Sequence, residues 1–125
     1  EYVLNCRLGA IQYQLYSELM QQRQRGDITG NLFKTYTACA KIWNHPDLVH
    51  VVSKSRGKKC SGDDFDAAAA GVDMSWAKAI HTAPSGDFSI SPKFLICYGI
   101  IHKSCELGDR LLVFSQSLET LNLLE

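Results

Sequence analysis

The stretch Gly108-Asp109-Arg110-Leu111-Leu112-Val113-Phe114-Ser115-Gln116-Ser117 decides the reading of this chain. Gly108 follows a helical pattern and is the residue type that ends helices in the left-handed conformation. Leu111 to Phe114 are apolar in succession, the pattern of a strand covered on both faces in a parallel sheet. Ser115, Gln116 and Ser117 form its polar end, and Ser117 is placed to cap a following helix with Leu118, Leu121 and Leu124 on one side. In open α/β sheets, ligands bind at the carboxyl ends of strands. Ser115, Gln116 and Ser117 are therefore the candidate ligand-contacting residues, and the fold class expected is α/β, an α-β-α unit with a parallel strand.

Upstream of that stretch, Ser91 is a helix cap with Pro92 at the first helical position. Phe94, Leu95, Tyr98, Ile101 and Cys105 form the expected apolar face of this helix. At the other end of the chain, residues 2–8 alternate in the manner of a half-buried strand, with Tyr2, Leu4, Cys6 and Leu8 on one face. Gly9 breaks that pattern. From Ala10 to about Gln24 the period is helical, with Ile11, Leu15 and Leu19 on one stripe, and Gly26-Asp27 ends it. A second helix is expected from Asn31, with Leu32, Tyr36, Cys39, Ala40 and Trp43 on one face. Pro46 stops it at His45. Leu48 to Val52 fits either a further helical turn or a packed connector. Residues 53–73 hold a basic run, an acidic run and three glycines, and read as a flexible insertion. Met74 to His81 fits a short helix around Trp76, followed by a loop containing Pro84, Gly86 and Asp87.

The 125 residues suit one ordinary domain, and 46% of them are hydrophobic. Thirteen basic and thirteen acidic residues cancel. A stand-alone nucleic-acid binder usually carries a basic excess, so any DNA contact must be local or shared with other parts. The five cysteines are odd in number and form no CxxC pair, as expected of free thiols in a reducing compartment. No apolar run approaches the roughly 20 residues of a membrane helix. There is no starting methionine or signal peptide, and the true N-terminus is expected upstream.

Several chemistries are excluded by their missing motifs. There is no GxxxxGK phosphate loop, GxGxxG, HExxH or GxSxG. No catalytic residue is therefore expected in this chain. His45 and His50 lie near Cys39 and Cys60, but the spacings match no zinc pattern. His45 is better read as hydrogen-bonding near the helix end and Cys39 as core, with no metal site. The basic run from Lys54 to Lys59 could touch phosphates, although such runs are more often solvated loops. Trp43 reads as core.

Lys41-Ile42-Trp43-Asn44-His45-Pro46-Asp47-Leu48 closely resembles the RKICNHP-x-L segment of SWI/SNF-type helicase-like ATPases. Gly108 to Gln116 resembles helicase motif IV of that family. Leu4-Asn5-Cys6-Arg7-Leu8, followed by Gln12 and Leu15-Tyr16, resembles the L-x-x-x-L-S-P-x-Q-x-x-L-Y segment before them. Gly9-Ala10 stands where that pattern usually has Ser-Pro, and Ala40-Lys41 where it has Arg-Lys. Trp43, Leu32-Phe33 and Ser115 to Leu118 are most similar to the ATRX and androgen-receptor-interacting subgroup, whose members carry a long insertion before motif IV.

The resemblance implies a fragment of a nuclear, RecA-like, ATP-dependent DNA translocase and chromatin remodeller: a DNA-binding, ATP-binding hydrolase. It further implies that residues 1–52 close the first motor lobe as a helical extension. Residues 53–90 would be the variable insertion, and residues 91–125 would open the second lobe. Ser115, Gln116 and Ser117 would face duplex DNA, while Lys41, Asn44 and His45 would form the corner between lobes. ATP and Mg2+ would belong to the complete protein, with neither bound by this fragment, which would be inactive alone. Chromatin and nuclear proteins are the implied partners. The alternative is a non-catalytic nuclear protein-interaction module presenting Trp43 or Trp76.

Overall fold

The computed structural model describes residues 1–26, 32–50 and 74–125. In chain order these residues form α1 (Ala10–Arg25), α2 (Leu32–Asn44), α3 (Ala77–Ile80), a 3-10 turn (Phe88–Ile90), α4 (Pro92–Leu107) and α5 (Leu118–Leu124). Residues 48–50 are also helical. The core lies where α1 and α2 pack together with the segment that carries α3. It contains Leu15, Leu19, Ala38, Cys39, Ile42, Val49, Met74 and Ala77, with Ile11, Tyr16, Trp43 and Trp76 packed around it. Burying a leucine side chain contributes about 1.5–3 kcal/mol, so Leu15 and Leu19, both fully buried, are major anchors of α1.

Local sequence explains where the helices begin and end. Gly26 and Gly108 adopt positive φ, at 81° and 74°, and terminate α1 and α4. At Gly108 the Asp109 N–H donates to the Ser104 carbonyl (2.9 Å), and the Gly108 N–H donates to the Cys105 carbonyl (3.1 Å). That 6→1 and 5→2 pair is the Schellman arrangement. Ser91 caps α4 by accepting from the Phe94 N–H, with Pro92 in the first turn, and Ser117 caps α5 by accepting from the Thr120 N–H. The end of α1, both ends of α4 and the start of α5 thus follow from caps that the sequence displays. The proposed Asn31 cap and the 53–73 insertion lie outside the described residues.

Gln12 joins α1 to α2. Its Oε1 accepts from the Gly9 N–H (2.9 Å), completing the start of α1. Its Nε2 donates to the carbonyls of Ile42 (2.9 Å) and Trp43 (3.0 Å). The last carbonyls of a helix lack intrahelical partners, and one buried amide supplies two of them here.

The expected α/β class is not what forms. Among the described residues there is no strand and no sheet. Residues 111–114 carry no regular structure, and Leu112 and Phe114 are 80% and 86% exposed. Residues 2–8 also lack regular structure, with Tyr2 97% exposed. The physical reason is that a strand is defined by its neighbours, because its N–H and C=O groups are satisfied only across a ladder. Apolar runs and alternation indicate which side chains would share a face, but supply no partner. The faces of two helices also differ from expectation. On α2 the row Thr35, Ala38, Ile42 is buried, while Leu32 and Tyr36 are exposed. Alpha1 engages that adjacent row, leaving Trp43 at the margin between Tyr16 and Tyr36, each with ring centroids 6.0 Å away. On α4 only Phe94 of the predicted apolar face is buried, while Leu95 and Tyr98 are about half exposed.

Candidate functional site at the Asn-His-Pro corner

The end of α2 and the start of α5 are 76 residues apart in sequence and meet in space. The Asn44 Nδ2 donates to Thr120 Oγ1 at 3.1 Å. Asn44 also accepts at Oδ1 from the Lys93 ammonium (2.6 Å), and its backbone carbonyl accepts from the Ser91 hydroxyl (2.6 Å). One residue therefore touches both the first turn of α4 and the first turn of α5.

Around this junction lies a cavity of about 340 Å³, whose lining includes Trp43, Asn44, Lys93, Ser115, Gln116 and Thr120. Ser115 and Gln116 are exposed. Ser117 also lines the cavity but is buried, with its hydroxyl accepting from the Thr120 N–H (3.2 Å). Its N–H donates to Ser115 Oγ (3.1 Å), which sets the turn that presents Gln116. Lys93 supplies the cation of the lining.

The rest of the corner is closed and buried. Lys41 is almost wholly buried in α2. His45 is fully buried, and its ring lies against Phe94 (centroids 5.0 Å) and Phe88 (6.4 Å). The Asp47 N–H donates to His45 Nδ1 (3.2 Å), which leaves Nε2 as the donor to the Asp87 carbonyl (3.1 Å). Burial pushes the imidazole below its ordinary pKa, against the opposing pull of the Asp87 carbonyl. A neutral, doubly hydrogen-bonded ring suits a structural role at the corner.

Asp47 is the second centre of the corner. Its Oδ1 accepts from His81 Nε2 (2.5 Å), and its Oδ2 accepts from the N–H groups of Ser85 (3.0 Å) and Gly86 (2.7 Å). Burial raises the carboxyl, but the bonds from Gly86, His81 and Ser85 outweigh it and hold the group below its ordinary value. Gly86 has φ +65°, the left-handed conformation that favours glycine. His50 lies beside His81 with ring centroids 5.1 Å apart, and burial lowers its pKa.

The structure thus brings Asn44 together with Ser115, Gln116 and Ser117 around one cavity, and places Lys41 and His45 in the packed corner beside it. Sequence reasoning passed over Lys93, Thr120 and Asp47. Thr120 sits three residues after a capping serine, where its N–H could have been expected to meet the cap. No local signal marks Asp47, whose partners lie 34 to 39 residues away.

Comparison with known proteins adds what geometry does not. The chain is 28% identical to human Helicase ARIP4 over 179 aligned residues, covering 100% of this chain and 12% of that protein. It is 27% identical to the Xenopus tropicalis Helicase ARIP4 over 176 residues, covering 13% of that protein. A 39-residue stretch, 31% of this chain, is 54% identical to the Transcriptional regulator ATRX homolog of Caenorhabditis elegans, of which it covers 3%. No family profile and no solved structure matches the chain. The relatives that match across its full length are named Helicase ARIP4, and the ATRX homolog matches about a third of it. The similarity to Helicase ARIP4 and to the ATRX homolog supports kinship with the SWI/SNF-type helicase-like proteins of the ATRX and ARIP4 subgroup, and the chain spans a small part of the length of these relatives.

Proposed function

We propose that this chain is part of an ATP-dependent DNA translocase and chromatin remodeller of the nucleus, and that it contributes a DNA-facing surface at Ser115 and Gln116, with the buried Ser117 holding their turn by capping α5. The observation that carries the reading is the junction at Asn44, where the corner of α2 and the 115–117 turn share one cavity with Lys93. Exposed hydroxyl and amide groups beside a single ammonium suit phosphate oxygens. Base-specific recognition asks for more, and the zero net charge of the chain agrees with a modest local contribution. Each neutralised phosphate adds about −0.9 to the salt slope, so Lys93 accounts for roughly one unit.

Lys41, Asn44 and His45 act in this reading as the rigid corner that holds the 115–117 turn in place. ATP and Mg2+ belong to the complete protein. The residues described here do not fit that group: no three His, Cys, Asp or Glu among them are placed to hold a metal ion, and the sequence has no phosphate loop. Their role is to position DNA, and the phosphoryl chemistry falls to other parts of the parent.

The test is Gln116→Ala in the complete protein. DNA-stimulated ATP turnover falls by about tenfold, while the KM for ATP stays within about twofold, the pattern of a lost interaction that does not act in ATP binding. Full DNA stimulation in that variant would remove Gln116 from the DNA-facing surface.

A further inference from the structure

We propose that Asp47 is a positioning residue: by clamping the 81–87 loop to the corner, it fixes the starts of α4 and α5 relative to Asn44. The inference rests on the functional reading only for its activity readout, since the linkage itself is structural.

The contacts form a closed ring. Asp47 holds His81 and the N–H groups of Ser85 and Gly86. The loop continues to Asp87, whose carbonyl accepts from His45 and whose side chain accepts from the Ser89 N–H (2.8 Å) to start the 3-10 turn. That turn ends at Ser91, which donates to the Asn44 carbonyl and caps α4. Lys93, one step further, returns to the Asn44 side chain, which also holds Thr120 of α5. Every one of these closures falls within the four residues Asn44 to Asp47. Chain connectivity between residues 87 and 91 is short, so displacement of the loop displaces Ser91 and Lys93.

Burial makes the clamp consequential. Asp47 is 4% exposed, and charge-assisted hydrogen bonds to a buried carboxylate are the stronger kind. Without the carboxylate, two backbone N–H groups of the loop lose their acceptor. The loop then keeps the neutral bond from His45 to the Asp87 carbonyl and the contact of His81 with His50, neither of which holds the Ser85 and Gly86 amides. Asn44 would keep its own side chain but lose the fixed register of its partners.

Hydrogen exchange and turnover of the complete protein test this. Asp47→Asn speeds exchange at the Ser85 and Gly86 amides. It also speeds exchange at the distant Phe94 and Thr120 amides by about tenfold, the scale of one charge-assisted bond. DNA-stimulated kcat falls by about fivefold with the KM for ATP within about twofold, and Asp47→Glu recovers part of the loss, a split that general unfolding does not give. Changes confined to residues 81–87 would overturn the proposal. If Asp47→Asn fails to fold, His81→Gln removes one bond of the three, and unchanged exchange at Phe94 and Thr120 in that variant would overturn it equally. If the wild-type protein shows no DNA stimulation, the functional reading fails. The spread of exchange from Asp47 to Phe94 and Thr120 would still decide the positioning role.

Discussion

Replacing Ser91 with alanine removes one hydroxyl that does two jobs. The hydroxyl caps α4 by accepting from the Phe94 N–H (3.3 Å), and it donates to the Asn44 carbonyl (2.6 Å) from a position with no solvent exposure. Loss of a serine cap costs about 1 kcal/mol. Leaving the part-buried Asn44 carbonyl without its donor costs a further ~1–2 kcal/mol, the lower part of the range for a fully buried group. The two losses share one site and do not add fully, so a total of about 2 kcal/mol is expected. At 1.4 kcal/mol per decade this corresponds to roughly 30-fold faster hydrogen exchange in the first turn of α4. Ser91→Thr keeps both the acceptor and the donor and serves as the control. Exchange accelerated less than about fivefold by Ser91→Ala would mean that the hydroxyl is at most a cap, and would refute its role as a bridge between α4 and the corner.

Acidification should weaken the fold in two stages. Burial holds His45 and His50 below the ordinary 6.5, so their contribution is complete above that value and is lost as pH falls through their lower folded values. Asp47 is held below 3.8, and its contribution is lost only as pH falls through its own still lower folded value. A thermal midpoint that rises between pH 7 and pH 5 would contradict the first stage; an Asp47→Asn variant should flatten the second and, because the Asp47 charge partly supports protonated His45 and His50, deepen the first. At Gly9, a Cβ would stand 2.7 Å from the Ile90 carbonyl and 3.4 Å from Pro92 Cδ. Gly9→Ser should destabilise by a net of about 1 kcal/mol, since overpacking costs ~1–3 kcal/mol and the stiffer unfolded chain returns ~0.4–1 kcal/mol; an unchanged urea midpoint would show that the turn yields.

Much of the helical scaffold was legible in the sequence because its determinants are local. Ser91-Pro92, Gly108, Ser117 and Gly26 each mark a boundary through a bond within a few residues. The Leu15 and Leu19 stripe was legible for the same reason. The strand expectation failed at Leu111 to Phe114 because four apolar residues describe a surface and say nothing about what pairs with it. The buried row of α2 was displaced by one position because Gln12 and α1 select it from 30 residues away. The resemblance nominated Asn44 and Gln116 as candidates, while Lys93 and Asp47 emerge only when the chain is folded, since their contacts span 34 to 49 residues.

The account places Gln116 at a DNA-facing surface of the complete protein. A photoreactive side chain at position 116, in the complete protein bound to duplex DNA, tests that claim most directly. Position 13 is the control, because Tyr13 is exposed at 64% and does not line the cavity. The account predicts cross-links to DNA from position 116 and few from position 13. Equal yields from the two positions, or none from 116 while the protein is bound, would contradict it.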